Sequence, residues 1–200
     1  MSRSRKLPRA FFERSTLTVA RALIGMQLLH DDGREVRSGR IVETEAYLGP
    51  ADRAAHSWRG RTPRTEVMFG PPGHAYVYFI YGFWNCLNVV TGPAGVPHAV
   101  LLRALEPLGG LAERTSGPGL LCRALHIDRS LNGADLRAEV LWLEAPPAGA
   151  PRVQIARSPR IGIDYAGEWA HRPWRFFERD SPFVSRARGR ERAVTACRRA

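Results

Sequence analysis

The residue pattern predicts a single α+β domain, built as a curved antiparallel β-sheet with surrounding helices and a protruding β-hairpin. Three observations carry that expectation. Strand-like alternation from Ser38 to Tyr47 follows a tight turn at Asp32-Gly33. The aromatic run from His74 to Val90 reads as two strands broken at Tyr81-Gly82. Helical spacing is confined to short stretches, and 200 residues make one domain large enough to bury a core. The domain is assigned to residues 1–200, with 1–7 and 186–200 as flexible basic tails.

The elements follow in order. Ser15 or Thr16 can cap a helix whose apolar residues Leu17, Val19, Ala20, Leu23 and Ile24 recur at helical spacing, and Gly25 ends it. Met26 to His30 reads as a strand, Asp32-Gly33 as its turn, and Ser38 to Tyr47 as the returning, antiparallel strand. Leu48 to Gly73, rich in Gly, Pro, Arg and polar residues, reads as a long ordered loop. The tyrosine-rich hairpin comes next, with Tyr76 and Tyr78 on one face and Val77, Phe79 and Tyr81 on the other. Ala99 to Leu105 is an apolar strand interrupted by Arg103, a charge that needs a partner or an anionic ligand there. Helix and turns are expected over Gly109 to Asp135, a strand over Glu139 to Glu144, a surface loop over Ala145 to Pro151, and a turn at Ala166-Gly167.

Composition narrows the function. A net charge of +11 and a pI near 10.8 favour a polyanionic partner, nucleic acid before membrane. Lys6 is the only lysine and lies in the N-terminal tail, which leaves Schiff-base chemistry a single unpromising candidate. Cys86, Cys122 and Cys197 are widely spaced, and the six histidines lack metal-ligand spacing, so neither a disulfide framework nor a metal or other cofactor is expected. With no apolar run of membrane-spanning length and no secretory signal, a cytoplasmic monomer is the expectation.

The most informative segment is Gly39 to Tyr47. In an extended strand Glu43, Glu45 and Tyr47 share one side, with neighbours about 7 Å apart, while Val42, Thr44 and Ala46 face the other. One face suits a core and the other a site. Three functions fit carboxylates beside a ring in a basic chain: cleavage of a bond to a stackable base, a glycoside hydrolase using the Glu43/Glu45 pair, and a non-catalytic nucleic-acid-binding module. The glycoside hydrolase does not account for the positive charge, and the binding module does not account for the carboxylate. Tyr76 and Phe79 are assigned to the core, and His74, Trp58 and Trp84 to structural roles.

Taken together, several stretches resemble the alkyladenine (3-methyladenine) DNA glycosylase family. They are Gly39 to Pro50, Ala54 to Ser57, Thr62-Pro63-Arg64, Met68-Phe69, Tyr76 to Gly82, Cys86-Leu87-Asn88, Val100 to Pro107, Ser116-Gly117-Pro118 with Leu121-Cys122, Ala166 to Ala170, and Ser181-Pro182. The resemblance implies a base-excision repair enzyme whose partner is double-stranded DNA holding a damaged purine. It implies Glu45 as the general base for a water attacking the sugar, and Arg103 as a pocket arginine that helps position that water or a phosphate. It further implies Tyr47, His56 and Tyr78 as pocket walls, Asn88 as the residue that obstructs the 2-amino group of guanine, and Tyr81 as the wedge in the duplex. Spacing alone does not choose between Glu43 and Glu45. Flipping a base costs a few kcal/mol, and stacking on an aromatic returns about 1–3 kcal/mol per base, so two or three tyrosines are the right scale of compensation. Without a core lysine, the implied product is an abasic site, with no lyase step.

Overall fold

A computed structural model of the chain describes residues 5–185. Helix α1 (Arg9–Phe12) and helix α2 (Thr16–Ala22) open the fold, and the Ser15 hydroxyl caps α2 by accepting the Thr18 N–H at 3.4 Å. The chain then turns into strand β1 (Gln27–Asp31), hairpins at Asp32-Gly33 and returns as β2 (Val36–Tyr47). After a long connection come β3 (Ala75–Ile80), β4 (Trp84–Thr91) and β5 (His98–Pro107). Helix α3 (Pro118–Ala124) and strands β6 (Leu141–Glu144), β7 (Ile155–Ser158) and β8 (Arg175–Glu178) follow.

The strands form one antiparallel sheet in the order β3-β4-β5-β2-β1-β6, with β8 joining both β2 and β7. Strand β2 is the hinge of this arrangement. Its first half is flanked by β1 and β5, whereas Glu43–Glu45 is flanked by β5 and β8. Register shifts between Ile41 and Thr44 leave Val42 on β2 and Arg103 on β5 without direct partners. Such irregularities bend a strand and re-aim its side chains, and this one lies beside the paired carboxylates. Below the sheet, Thr44 Oγ1 donates to Ala20 O at 2.8 Å, locking α2 against β2, and Ala46 packs into the core with Leu23, Leu28, Leu102 and Leu105. Each such fully buried leucine contributes roughly 1.5–3 kcal/mol of transfer free energy.

The 48–73 connection is ordered, as its composition suggested, and contains three 3₁₀ turns at Gly49–Ala51, His56–Arg59 and Glu66–Phe69. At the far edge the β3–β4 hairpin turns at Tyr81 (φ 55°) and Gly82 (φ 74°). A left-handed tyrosine costs roughly 1–2 kcal/mol, and it leaves the Tyr81 side chain 78% exposed at the hairpin tip. Phe79 is 42% exposed, not in the core. The hairpin extends past β5, which pairs with β4 only from Asn88 to Thr91, so the Phe79 face has little to pack on there, and Tyr81 lies beyond the end of β3 in the turn.

Two other expectations change. Of the N-terminal segment, Arg5–Leu7 is tied down: Arg5 pairs with Glu144 at 2.9 Å, Lys6 forms a β-bridge to Glu144, and Leu7 is buried. Strands β7 and β8 and helix α1, of four residues each, were not read from the sequence, whereas the equally short β6 was read as part of the run Glu139 to Glu144. The turn at Ala166-Gly167 lies within a 3₁₀ segment, Asp164–His171, whose Gly167 has φ 64°. The expected basic tail over 186–200 lies outside the described residues.

Candidate active site

Register gathers the candidate residues on one sheet face. Glu45 pairs with Leu101, Leu101 with Asn88, and Asn88 with Tyr76, so these four stand abreast across β2, β5, β4 and β3. Side chains two residues along share that face: Tyr47 and Glu43 on β2, Arg103 on β5, and the cross-strand pair Tyr78 and Cys86 on β3 and β4. No two of β2, β3 and β5 need be close in sequence for this to happen. Antiparallel pairing alone brings them together.

At the centre is the Glu45 carboxylate, which has no solvent exposure. Its Oε1 accepts the Ile161 N–H at 2.7 Å, and its Oε2 accepts the Tyr47 hydroxyl at 2.8 Å and Arg103 NH1 at 3.3 Å. Three donors, from β2, from β5 and from the loop after β7, therefore fix its plane. Glu43 is equally buried but engaged differently: Oε1 accepts Arg175 Nε at 2.5 Å, and Oε2 accepts the Ser185 N–H at 2.8 Å. Arg175 completes a brace through Ser158 Oγ and Ser185 O. Arg103 lies between the carboxylates, with Nε 3.3 Å from Glu43 Oε1. That contact is poorly aligned, so Arg103 Nε makes no hydrogen bond among the described residues. Burial opposes the charge on Arg103, but Glu45 and Glu43 outweigh it and raise its pKa.

The aromatic residues frame this centre. His56 Nδ1 lies 3.0 Å from the Tyr76 hydroxyl, and its ring meets Tyr78 edge-on at 4.4 Å between centroids. Tyr76 is core, as expected, packing with Met68, Val90 and Ala99, yet its hydroxyl orients His56. Burial pushes the Tyr47 hydroxyl well above its ordinary pKa, with Glu45 adding to the effect, and burial does the same for Tyr78, with Cys86 adding there. Both stay neutral donors. Asn88 is buried and donates its amide to Tyr76 O at 3.2 Å. Tyr81 stands apart from this cluster at the hairpin tip, where Phe83 is also exposed.

His56 is exposed to solvent, although its ring packs against Tyr78. Burial against the rings, and then the Arg64 charge, lower its pKa from 6.5 to about 4. Between those values the unfolded chain takes up the proton first, so the contribution of this residue to stability is complete above pH 6.5 and is lost as pH falls toward 4. An NMR titration should find the His56 ring neutral at pH 6, with its shifts moving only below about pH 5. A midpoint near 6.5 would show that the ring is not desolvated.

Several residues of the site had no role read from the sequence. Arg64 lies over the Tyr78 ring at 5.4 Å, and although Thr62-Pro63-Arg64 was one of the stretches carrying the resemblance, no role was attached to it. Asp52 and Arg160 form an ion pair with no solvent exposure, and the Ile161 N–H belongs to a stretch read only as turn and loop. A backbone donor leaves no sequence signal at all. Among the described residues, no group of three or more His, Cys, Asp or Glu side chains could hold a metal ion. Cys86 and Cys122 are buried free thiols.

A profile of the methylpurine-DNA glycosylase (MPG) family matches residues 10–182. A protein of Anaeromyxobacter dehalogenans (strain 2CP-C), named as a 3-methyladenine DNA glycosylase, is 58% identical over 182 residues, spanning 90% of this chain and 87% of its own. Proteins with the same name from Legionella pneumophila (strain Lens) and Bacillus cytotoxicus are 53% and 47% identical, covering 91% and 90% of this chain and 99% and 100% of theirs.

Proposed function

This chain belongs to the methylpurine-DNA glycosylase family of hydrolases acting on N-glycosyl bonds, and from that premise we propose that it excises damaged purines from double-stranded DNA. The lesions are of the 3-methyladenine, 7-methylguanine, hypoxanthine and ethenoadenine class. The observation that carries the reading is the Glu45 carboxylate, aimed by Tyr47, Arg103 and Ile161 on the sheet face that also bears Tyr78 and Asn88.

In this reading the damaged nucleotide swings out of the duplex and Tyr81 fills the gap it leaves. The purine stacks among Tyr47, His56 and Tyr78, and Asn88 obstructs a 2-amino group. A water then attacks the sugar C1′ as the C1′–N bond breaks. The bond electrons leave with the base, and Glu45 takes the water proton. Arg103 positions that water or a neighbouring phosphate. Electron-rich rings favour cationic alkylpurines, which are already good leaving groups.

Glu43 does not suit the second-carboxylate role of a glycoside hydrolase, since both its oxygens are held by Arg175 and Ser185. Lys6 is engaged with Ala138 and Glu139 beside β6, which speaks for a product left as an intact abasic site. Among the described residues no helix is long and apolar enough to cross a membrane, and the proposal places the protein on DNA in the cytoplasm as a monomer.

The test is base release from duplex oligonucleotides holding one hypoxanthine or one ethenoadenine, and from methylated DNA. Strand breaks are expected only after alkali. Breaks without alkali would disprove the monofunctional mechanism, and binding without release from any substrate would leave a nucleic-acid-binding module.

A further inference from the structure

We propose that Arg160, braced by Asp52, is a positioning residue that holds Glu45 and Tyr47 in working geometry. The proposal rests on the glycosylase reading above. Arg160 NH1 donates to Asp52 Oδ2 at 2.6 Å and NH2 to Asp52 Oδ1 at 2.9 Å, a two-point fork between side chains that have no solvent exposure. NH1 also donates to Ala46 O at 2.8 Å, the carbonyl lying between Glu45 and Tyr47 in the chain. The guanidinium lies over the Tyr47 ring at 4.6 Å and over the Trp174 ring at 5.0 Å. The next residue, Ile161, gives its N–H to Glu45 Oε1 at 2.7 Å.

Asp52 extends the brace. It accepts the Leu48 N–H at 3.2 Å and the Ala54 N–H at 3.0 Å, fixing the loop that leads into His56. One ion pair thus joins three segments: the end of β2, the loop carrying His56, and the stretch that supplies the Ile161 N–H. Its net stability is modest, because desolvating two charges offsets most of their attraction, so an apolar pair of the same volume would hold the fold about as well. Direction is what an apolar pair would not supply. A planar fork with fixed donor angles orients Ala46 O, Tyr47 and Ile161 together, and a lysine ammonium has no such plane.

A misplacement of about 1 Å in a reacting group costs on the order of 100-fold in rate, and Arg160→Lys should approach that loss. Single-turnover release of hypoxanthine is expected to slow about 30- to 100-fold. Affinity for a duplex carrying a tetrahydrofuran abasic analogue should stay within about threefold, since Arg160 is buried and does not reach DNA. Asp52→Asn, which keeps shape but weakens the fork, should show the same split at about tenfold, and it carries the test if Arg160→Lys does not fold. On 7-methylguanine DNA, adding Arg160→Lys to Glu45→Gln should cost less than about threefold more, because the effect of Arg160 runs through Glu45.

A rate unchanged by Arg160→Lys, an equal fall in rate and affinity, or a full additional loss in the Glu45→Gln background would overturn the proposal while leaving the glycosylase reading intact. Failure of the unaltered protein to release any base would remove both.

Discussion

Glu45→Gln is expected to reduce single-turnover base release by about 10²- to 10⁴-fold, the range a positioned general base supplies, with DNA affinity nearly unchanged. The substitution is isosteric, so its effect isolates chemistry from shape. Of the three donors on Glu45, the amide oxygen of glutamine can satisfy either Ile161 N–H on one side or Tyr47 and Arg103 on the other. Its NH₂ then faces a donor in either orientation, which adds a stability cost of about 1–3 kcal/mol. Thermal unfolding of the variant should therefore show a small downward shift alongside the kinetic collapse. Loss of release with retained binding assigns the water-activating carboxylate to Glu45. Retention of full activity would send the water-activating role elsewhere and would leave Tyr47 and Arg103 as structural partners of Glu45 only.

Glu43→Ala should act almost wholly on stability. Removing this side chain strands Arg175 and half of the Arg103 pairing in the interior and leaves the Ser185 N–H without its acceptor. Breaking one partner out of a buried ionic network costs about 3–5 kcal/mol. For a chain of this size that corresponds to a fall in melting temperature of roughly 6–20 °C. Below that transition the residual excision rate per folded molecule should remain within about tenfold of the unaltered protein, because Glu45 keeps all three of its own donors. A variant that melts normally but has lost excision would make Glu43 a chemical participant and restore the two-carboxylate mechanism. The two substitutions sit two residues apart on one strand, so their contrast tests position against environment.

Much of the scaffold was legible because it depends on local patterns. Alternation over 38–47, the turn residues Asp32-Gly33 and Tyr81-Gly82, and the Ser15 cap each act over a few residues, and each appears where the pattern placed it. The antiparallel direction of β2 followed from the short turn before it. Glu43, Glu45 and Arg103 were legible as a charge problem, two acids and a base in apolar strands, and β2 and β5 bring Arg103 to 3.3 Å from both carboxylates. Phe79 shows the limit of such patterns. Whether its face met a core depended on how far the hairpin extends beyond its neighbours.

The sequence by itself determined the α+β class, the antiparallel direction of the site strand and the basic character, since periodicity, turn propensity and charge are properties of neighbours in the chain, while the roles of single side chains came only from the family resemblance. Only the tertiary structure decided how differently the two neighbouring glutamates are held. It did so through Ile161 on one and Arg175 with Ser185 on the other, contacts separated by 116, 132 and 142 residues. It also decided that Arg160 lies under Tyr47 and that Asp52 meets it 108 residues away. Such pairings arise when the β7–β8 segment closes against β2, and the free energy that drives closure is the burial of apolar surface. That term has no direction and favours no particular pair of side chains, so the polar contacts it creates are written in the packed geometry and not in any local run of residues.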